Sequence, residues 1–117
     1  MSKLMILVIE DEELLCELTK DVLEARGHTV ISSFNEESAL KMMKEFRFDV
    51  YIVDYRITPH TNTIELIKTL RTFSPQSLII GCSADKKSEA LFKQAGANAF
   101  FLKPFSYESL ADFINSQ

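Results

Sequence analysis

The chain has no glycine-rich loop. Its three glycines are scattered, and neither G-x-G-x-x-G nor G-x-x-x-x-G-K-[ST] occurs anywhere. That removes the backbone cradles on which dinucleotide and nucleoside triphosphate sites depend. Only two cysteines are present, Cys16 and Cys82. They lack a metal-ligand spacing and are too few for a disulfide scaffold, so two reduced, buried thiols in a cytoplasmic protein are expected. Basic runs are missing and the net charge is -4, which argues against general affinity for nucleic acid or anionic membranes. No apolar stretch approaches the roughly 20 residues a membrane helix requires. Leu4 to Ile9 is too short for a signal peptide's apolar region, and acids follow at once. No repeat, linker or low-complexity segment interrupts the 117 residues, so residues 1–117 are expected to form one domain.

What is present is a rhythm of two alternating periods. Short apolar or β-branched runs read as strands at Leu4 to Ile9, His28 to Ser33, Val50 to Val53, Ser77 to Cys82 and Ala99 to Leu102. Between them lie helical patterns. The first runs from Glu12 to Arg26, with Leu15, Leu18, Val22 and Ala25 at helical spacing and Gly27 as its stop. The second starts at Glu36 behind an Asn35 cap and runs to about Phe46. The third covers about Thr63 to Thr72, ahead of Pro75. A fourth runs from an Asp85 cap through Gln94 to Gly96, and a fifth from Tyr107 to about Asn115 behind a Ser106 cap. Five β-α units in strict alternation predict an α/β fold, doubly wound, with a five-stranded parallel sheet of order 2-1-3-4-5.

In such a sheet, ligands bind beyond the carboxyl ends of the strands, where the strand order reverses. The residues at those ends are Glu10 and Asp11 after strand 1, Asp54 after strand 3, Ser83 after strand 4, and Lys103 and Pro104 after strand 5. Taken singly, an acid at such a junction is often only a helix cap. Together, three acids, a hydroxyl and an ammonium around one crevice need a common explanation. Two carboxylates about 4 Å apart repel by roughly 4 kcal/mol at an effective dielectric near 20. Either a carboxyl stays protonated or a cation binds, and oxygen ligands with water suit Mg²⁺. The lysine and hydroxyl beside that site suit an anionic group with several oxygens, and a phosphoryl group matches. Glu12 and Glu13 need no ligand, because they open a helix whose dipole favours negative charge.

The set Glu10-Asp11, Asp54, Ser83-Ala84 and Lys103-Pro104, in that order at those strand ends, resembles the receiver domains of bacterial two-component response regulators. The resemblance covers the whole chain. It implies that Asp54 accepts a phosphoryl group from a phosphohistidine on a histidine kinase or histidine phosphotransfer protein. It also implies a Mg²⁺ site of Asp11 and Asp54, with Glu10 acting through a bound water and the backbone carbonyl of Arg56 completing the protein's share. Lys103 would pair with the phosphoryl oxygens and Ser83 would move to hydrogen-bond them. Phe100 would turn inward with Ser83 and remodel the face of helix 4, strand 5 and helix 5, where a downstream protein or a second copy could dock. Phe92, Phe101 and Tyr107 fall near that face. Leu14, on helix 1, is the candidate for contact with the kinase side. Self-phosphorylation and self-dephosphorylation are the only chemistry implied.

Three positions depart from the family pattern. One residue is inserted between Asp54 and Pro59, in the loop that carries Arg56. Thr63 stands where the family has a glycine, and a β-branched residue disfavours positive φ, so that turn must differ; Asn62 beside it tolerates the left-handed conformation and could absorb the change, or cap the helix. Glu10 replaces a commoner aspartate. Two other functions remain to be weighed. One is a receiver-like interaction module that works without phosphorylation, which the altered loop favours. The other is an aspartyl-phosphate phosphatase. That enzyme needs an acid two residues after its nucleophile, and this chain has Arg56 there.

Overall fold

The computed structural model describes residues 3–55 and 62–117. Five strands and five helices alternate along it: β1 (Met5–Ile9), α1 (Glu13–Ala25), β2 (Thr29–Ser33), α2 (Glu36–Glu45), β3 (Val50–Asp54), α3 (Thr63–Phe73), β4 (Leu78–Ser83), α4 (Ser88–Ala95), β5 (Ala99–Leu102) and α5 (Tyr107–Asn115). The strands form one parallel sheet of order β2-β1-β3-β4-β5, as the alternation of periods predicts. Expectations that concern Arg56, the inserted residue and Pro59 lie outside the described residues.

Strand alternation divides the apolar residues between two layers. Leu7, Ile9, Tyr51, Val53 and Ile79 face α2, α3 and α4, whose Ala39, Met43, Leu66, Leu70 and Phe92 close over them. Ile6, Val8, Val50, Ile52 and Ile80 face the other way, against Cys16 and Leu23 of α1 and Leu110 and Ile114 of α5. Each fully buried Leu or Ile contributes about 1.5–3 kcal/mol relative to exposure. That is why short strands, continuous in apolar residues, are buried on both faces.

Two expectations need correction. The buried stripe of α1 is Cys16, Thr19 and Leu23, one position on from the expected Leu15, Leu18 and Val22. Leu18 is 39% exposed, while Leu14, which the sequence leaves outside the stripe, is 58% exposed. The helix can turn these small polar groups inward because their hydrogen bonds are met. Thr19 Oγ1 donates to the Leu15 carbonyl at 2.8 Å and Cys16 Sγ donates to the Glu10 carbonyl at 3.3 Å. Also, α4 begins at Ser88, three residues after Asp85. The Asp85 carboxylate accepts from the Lys87 N–H at 2.9 Å, and its carbonyl accepts from Ser88 N–H at 3.0 Å, so it caps a tight turn that leads into the helix.

The side-chain caps of α2, α3 and α5 follow the sequence. Asn35, Asn62 and Ser106 each accept a backbone N–H of the first helical turn. Asn62 takes the capping option at φ -90°, so Thr63 can enter α3 without a left-handed residue before it. Gly27 stops α1 at φ +91°, a conformation that a side chain would disfavour.

Candidate functional site at the carboxyl edge of the sheet

The register of the sheet assembles the site. Ile9 pairs with Val53, Asp54 with Cys82, and Ser83 with Leu102. The residue after β1, the last residues of β3 and β4, and the residue after β5 therefore share one edge. β1 and β3 lie side by side in the sheet while β2 lies beyond β1. Glu10, Asp11 and Asp54 thus meet at the reversal point of the strand order.

Their carboxylate oxygens come within 4.8 Å of one another. At that separation each pair repels by roughly 3–4 kcal/mol at a dielectric near 20. Lys103 answers part of this charge. Its Nζ lies 2.6 Å from Asp54 Oδ1 and 3.0 Å from Glu10 Oε1. Burial alone would lower the lysine's pKa, but the hydrogen bonds to Asp54 and Glu10, together with their charges, outweigh it and hold the ammonium above the usual lysine range. Glu10 is shifted upward, first by burial and second by Asp54, against the opposing pull of Lys103. One ammonium cannot neutralise three carboxylates. The donor set is all oxygen, and it fits a hard divalent cation.

The two adjacent acids differ in surroundings. Glu10 is buried: its N–H donates to the Ser33 carbonyl at 3.0 Å and its Oε2 accepts from Glu12 N–H at 3.3 Å. Asp11 is exposed. The sequence suggests Glu10 at a metal-bound water, and its direct contact with Lys103 emerges only in the fold. The longer side chain of glutamate, compared with aspartate, is the signal that could have suggested it.

Ser83 is buried, and its Oγ accepts from Asp85 N–H at 3.0 Å. The backbone N–H of Lys103 donates to the Ser83 carbonyl at 2.8 Å. The hydroxyl thus belongs to the β4–α4 turn, at the rim of a cleft of about 390 Å³ lined by Asp54, Tyr55, Ser83, Ala84, Asp85 and Lys103. Phe100 is half-buried, its ring centroid 5.6 Å from that of Phe92. Phe92 is fully buried, while Phe101 and Tyr107 are half-buried and each contacts Phe105. These three aromatics pack.

The residue that sequence reasoning missed is Tyr55. Its N–H donates to the Cys82 carbonyl at 2.9 Å, and its carbonyl accepts from the buried Thr63 hydroxyl. Thr63 therefore fastens the start of α3 to the end of β3. An aromatic directly after the aspartate was the available signal.

The sequence profile of the response regulator receiver domain matches residues 6–115. The chain belongs to the response regulator receiver domain family. Among its relatives, the polar-differentiation response regulator DivK of Brucella anthropi is 29% identical over 115 residues, covering 95% of this chain and 93% of its own. The chemotaxis protein CheY of Halobacterium salinarum is 28% identical, with 94% and 92% covered. The transcriptional regulatory protein CrdR of Helicobacter pylori is 31% identical and is matched over 50% of its length. A response regulator structure from Thermotoga maritima superposes with a TM-score of 0.88 at 25% identity, over 98% of this chain and 97% of that one. The receiver's place in two-component signalling follows from the family. No described helix is long and apolar enough to cross a membrane.

Proposed function

We propose that this receiver accepts a phosphoryl group on Asp54 from a phosphohistidine of a histidine kinase or a histidine phosphotransfer protein, in a Mg²⁺-dependent reaction. The observation that carries the reading is the contact of Lys103 Nζ with both Asp54 and Glu10, beside the Asp11 carboxylate. An Asp54 oxygen attacks the phosphorus, an O–P bond forms, the N–P bond breaks, and the donor imidazole keeps the electron pair. Lys103 holds Asp54 in place and offers its ammonium to the incoming phosphoryl oxygens. Asp11 and Asp54 would hold the metal, with Glu10 near it and a backbone carbonyl from the loop after Asp54. The bound ion supplies charge neutralisation for the crowded oxygens. Ser83, at the cleft rim, would give up its Asp85 contact and donate its hydroxyl to the phosphoryl group. Phe100 would shift with it and alter the α4–β5–α5 face, where a downstream protein or a second copy would bind.

Calorimetry with Mg²⁺ and beryllofluoride, a phosphoryl mimic, tests this. The wild type is expected to bind one equivalent, and Asp54→Asn none. Equal binding by both proteins would contradict the assignment.

A further inference from the structure

Phe92 is the one large aromatic of α4, and it does not simply fill a layer. It lies over Gly81, which pairs in register with Val53 of β3, and its ring stands in a row of three aromatics with Tyr55 and Phe100. Gly81 pairs in register with Phe100 of β5, and Tyr55 follows the end of β3. A Cβ built on Gly81 would stand 2.4 Å from Phe92 Cδ1, so the ring occupies the volume a β4 side chain would fill. From that gap the ring meets Tyr55 at 5.7 Å and Phe100 at 5.6 Å between centroids. Phe92 is fully buried, so it cannot yield outward to solvent.

Each partner in this row is covalently close to the site. Tyr55 follows Asp54, Gly81 lies two residues before Ser83, and Phe100 lies three before Lys103. The Tyr55 peptide is fixed on both sides, to Cys82 and to Thr63. Interiors are close-packed, so a sub-ångström shift of β3, β4 or β5 at the site must displace the ring wedged among them. The ring belongs to α4, and its displacement moves the helix.

We propose that Phe92 is a positioning residue which couples the occupied state of Asp54 to the placement of α4, through a Tyr55–Phe92–Phe100 row seated over Gly81. The inference rests on the reading of Asp54 as phosphoacceptor. It goes further by giving α4 its own link to the site through Tyr55, in addition to the Ser83 and Phe100 route.

Backbone amide NMR during titration with Mg²⁺ and beryllofluoride tests it in the wild type and two variants. Phe92→Leu shortens the wedge. The second variant combines Phe92→Ala with Gly81→Val, which returns volume to the strand while unplugging the helix. In the wild type, shifts are expected at Glu10, Asp11, Tyr55 and Ser83, and also across Glu89 to Lys93. In both variants the site shifts should persist, while the α4 shifts weaken about threefold or more. Full α4 shifts in either folded variant overturn the inference alone. Site shifts without α4 shifts in the wild type do the same. No site shift in the wild type overturns the phosphoacceptor reading and this inference together.

Discussion

Glu10 and Asp11 are neighbours in sequence, yet one is buried against Lys103 and the other faces solvent. A run of acids shows charge but not direction, because side chains that leave a strand diverge over a single residue. The acids, the hydroxyl and the lysine are legible as residues at the ends of apolar runs, and the fold brings them to one edge. The sequence did not identify the Glu10–Lys103 contact, which depends on β1 and β5 being placed by β3 and β4 between them. The thiols show the same divide. Cys16 was legible as buried but not as a donor to the Glu10 carbonyl. Burial, then the charge of Glu10, pushes the Cys16 thiol up to about 11, and burial pushes Cys82 up to about 12. Both hold their protons more tightly folded than unfolded. Their contribution to stability is complete below the ordinary value of 9.0 and is lost as pH rises through about 11 and 12. The melting temperature should therefore fall between those limits, and less steeply in Cys16→Ala/Cys82→Ala. At pH 8 an Ellman-type reagent should label neither thiol until the chain unfolds. Rapid labelling of the folded protein would show the thiols to be accessible.

At the scale of elements, the helices and strands were legible because two different apolar periods alternate, and the caps Asn35, Asn62 and Ser106 marked three helix starts. The inward face of α1 was not, because Thr19 and Cys16 are buried through hydrogen bonds that periodicity does not see. Nor was the role of Arg71, which reads as an ordinary charge near the end of α3. Its guanidinium donates to the carbonyls of Gly96 at 2.9 Å and Ser77 at 2.8 Å, and to Asn98 Oδ1 at 2.6 Å. One side chain thus ties the end of α3 to the start of β4 and the α4–β5 turn, and burial lowers its pKa. A lysine keeps the charge but cannot reach these acceptors as a planar fork. Arg71→Lys should cost about 1–3 kcal/mol in urea denaturation, since several half-buried carbonyls lose their donor. A loss near zero would show that water replaces the fork without penalty.

The molecule as a whole has two apolar layers around one sheet, and the site lies on the only edge where β1 and β3 end side by side among the described strands. That placement followed from topology, and topology followed from the alternation of periods. The crevice's chemistry then followed from which residues end each strand. The coupling to α4 was outside what a sequence reveals, because the Gly81–Phe92 fit exists only after the helix has docked. The role of Asp54 as phosphoacceptor is the claim on which the rest depends. Incubation with acetyl phosphate and Mg²⁺, followed by intact-mass and fragment mass spectrometry, tests it most directly. A gain of one phosphoryl group located on Asp54 is expected, absent without Mg²⁺ and absent in Asp54→Asn. An unmodified wild type, or equal labelling of Asp54→Asn, would contradict it.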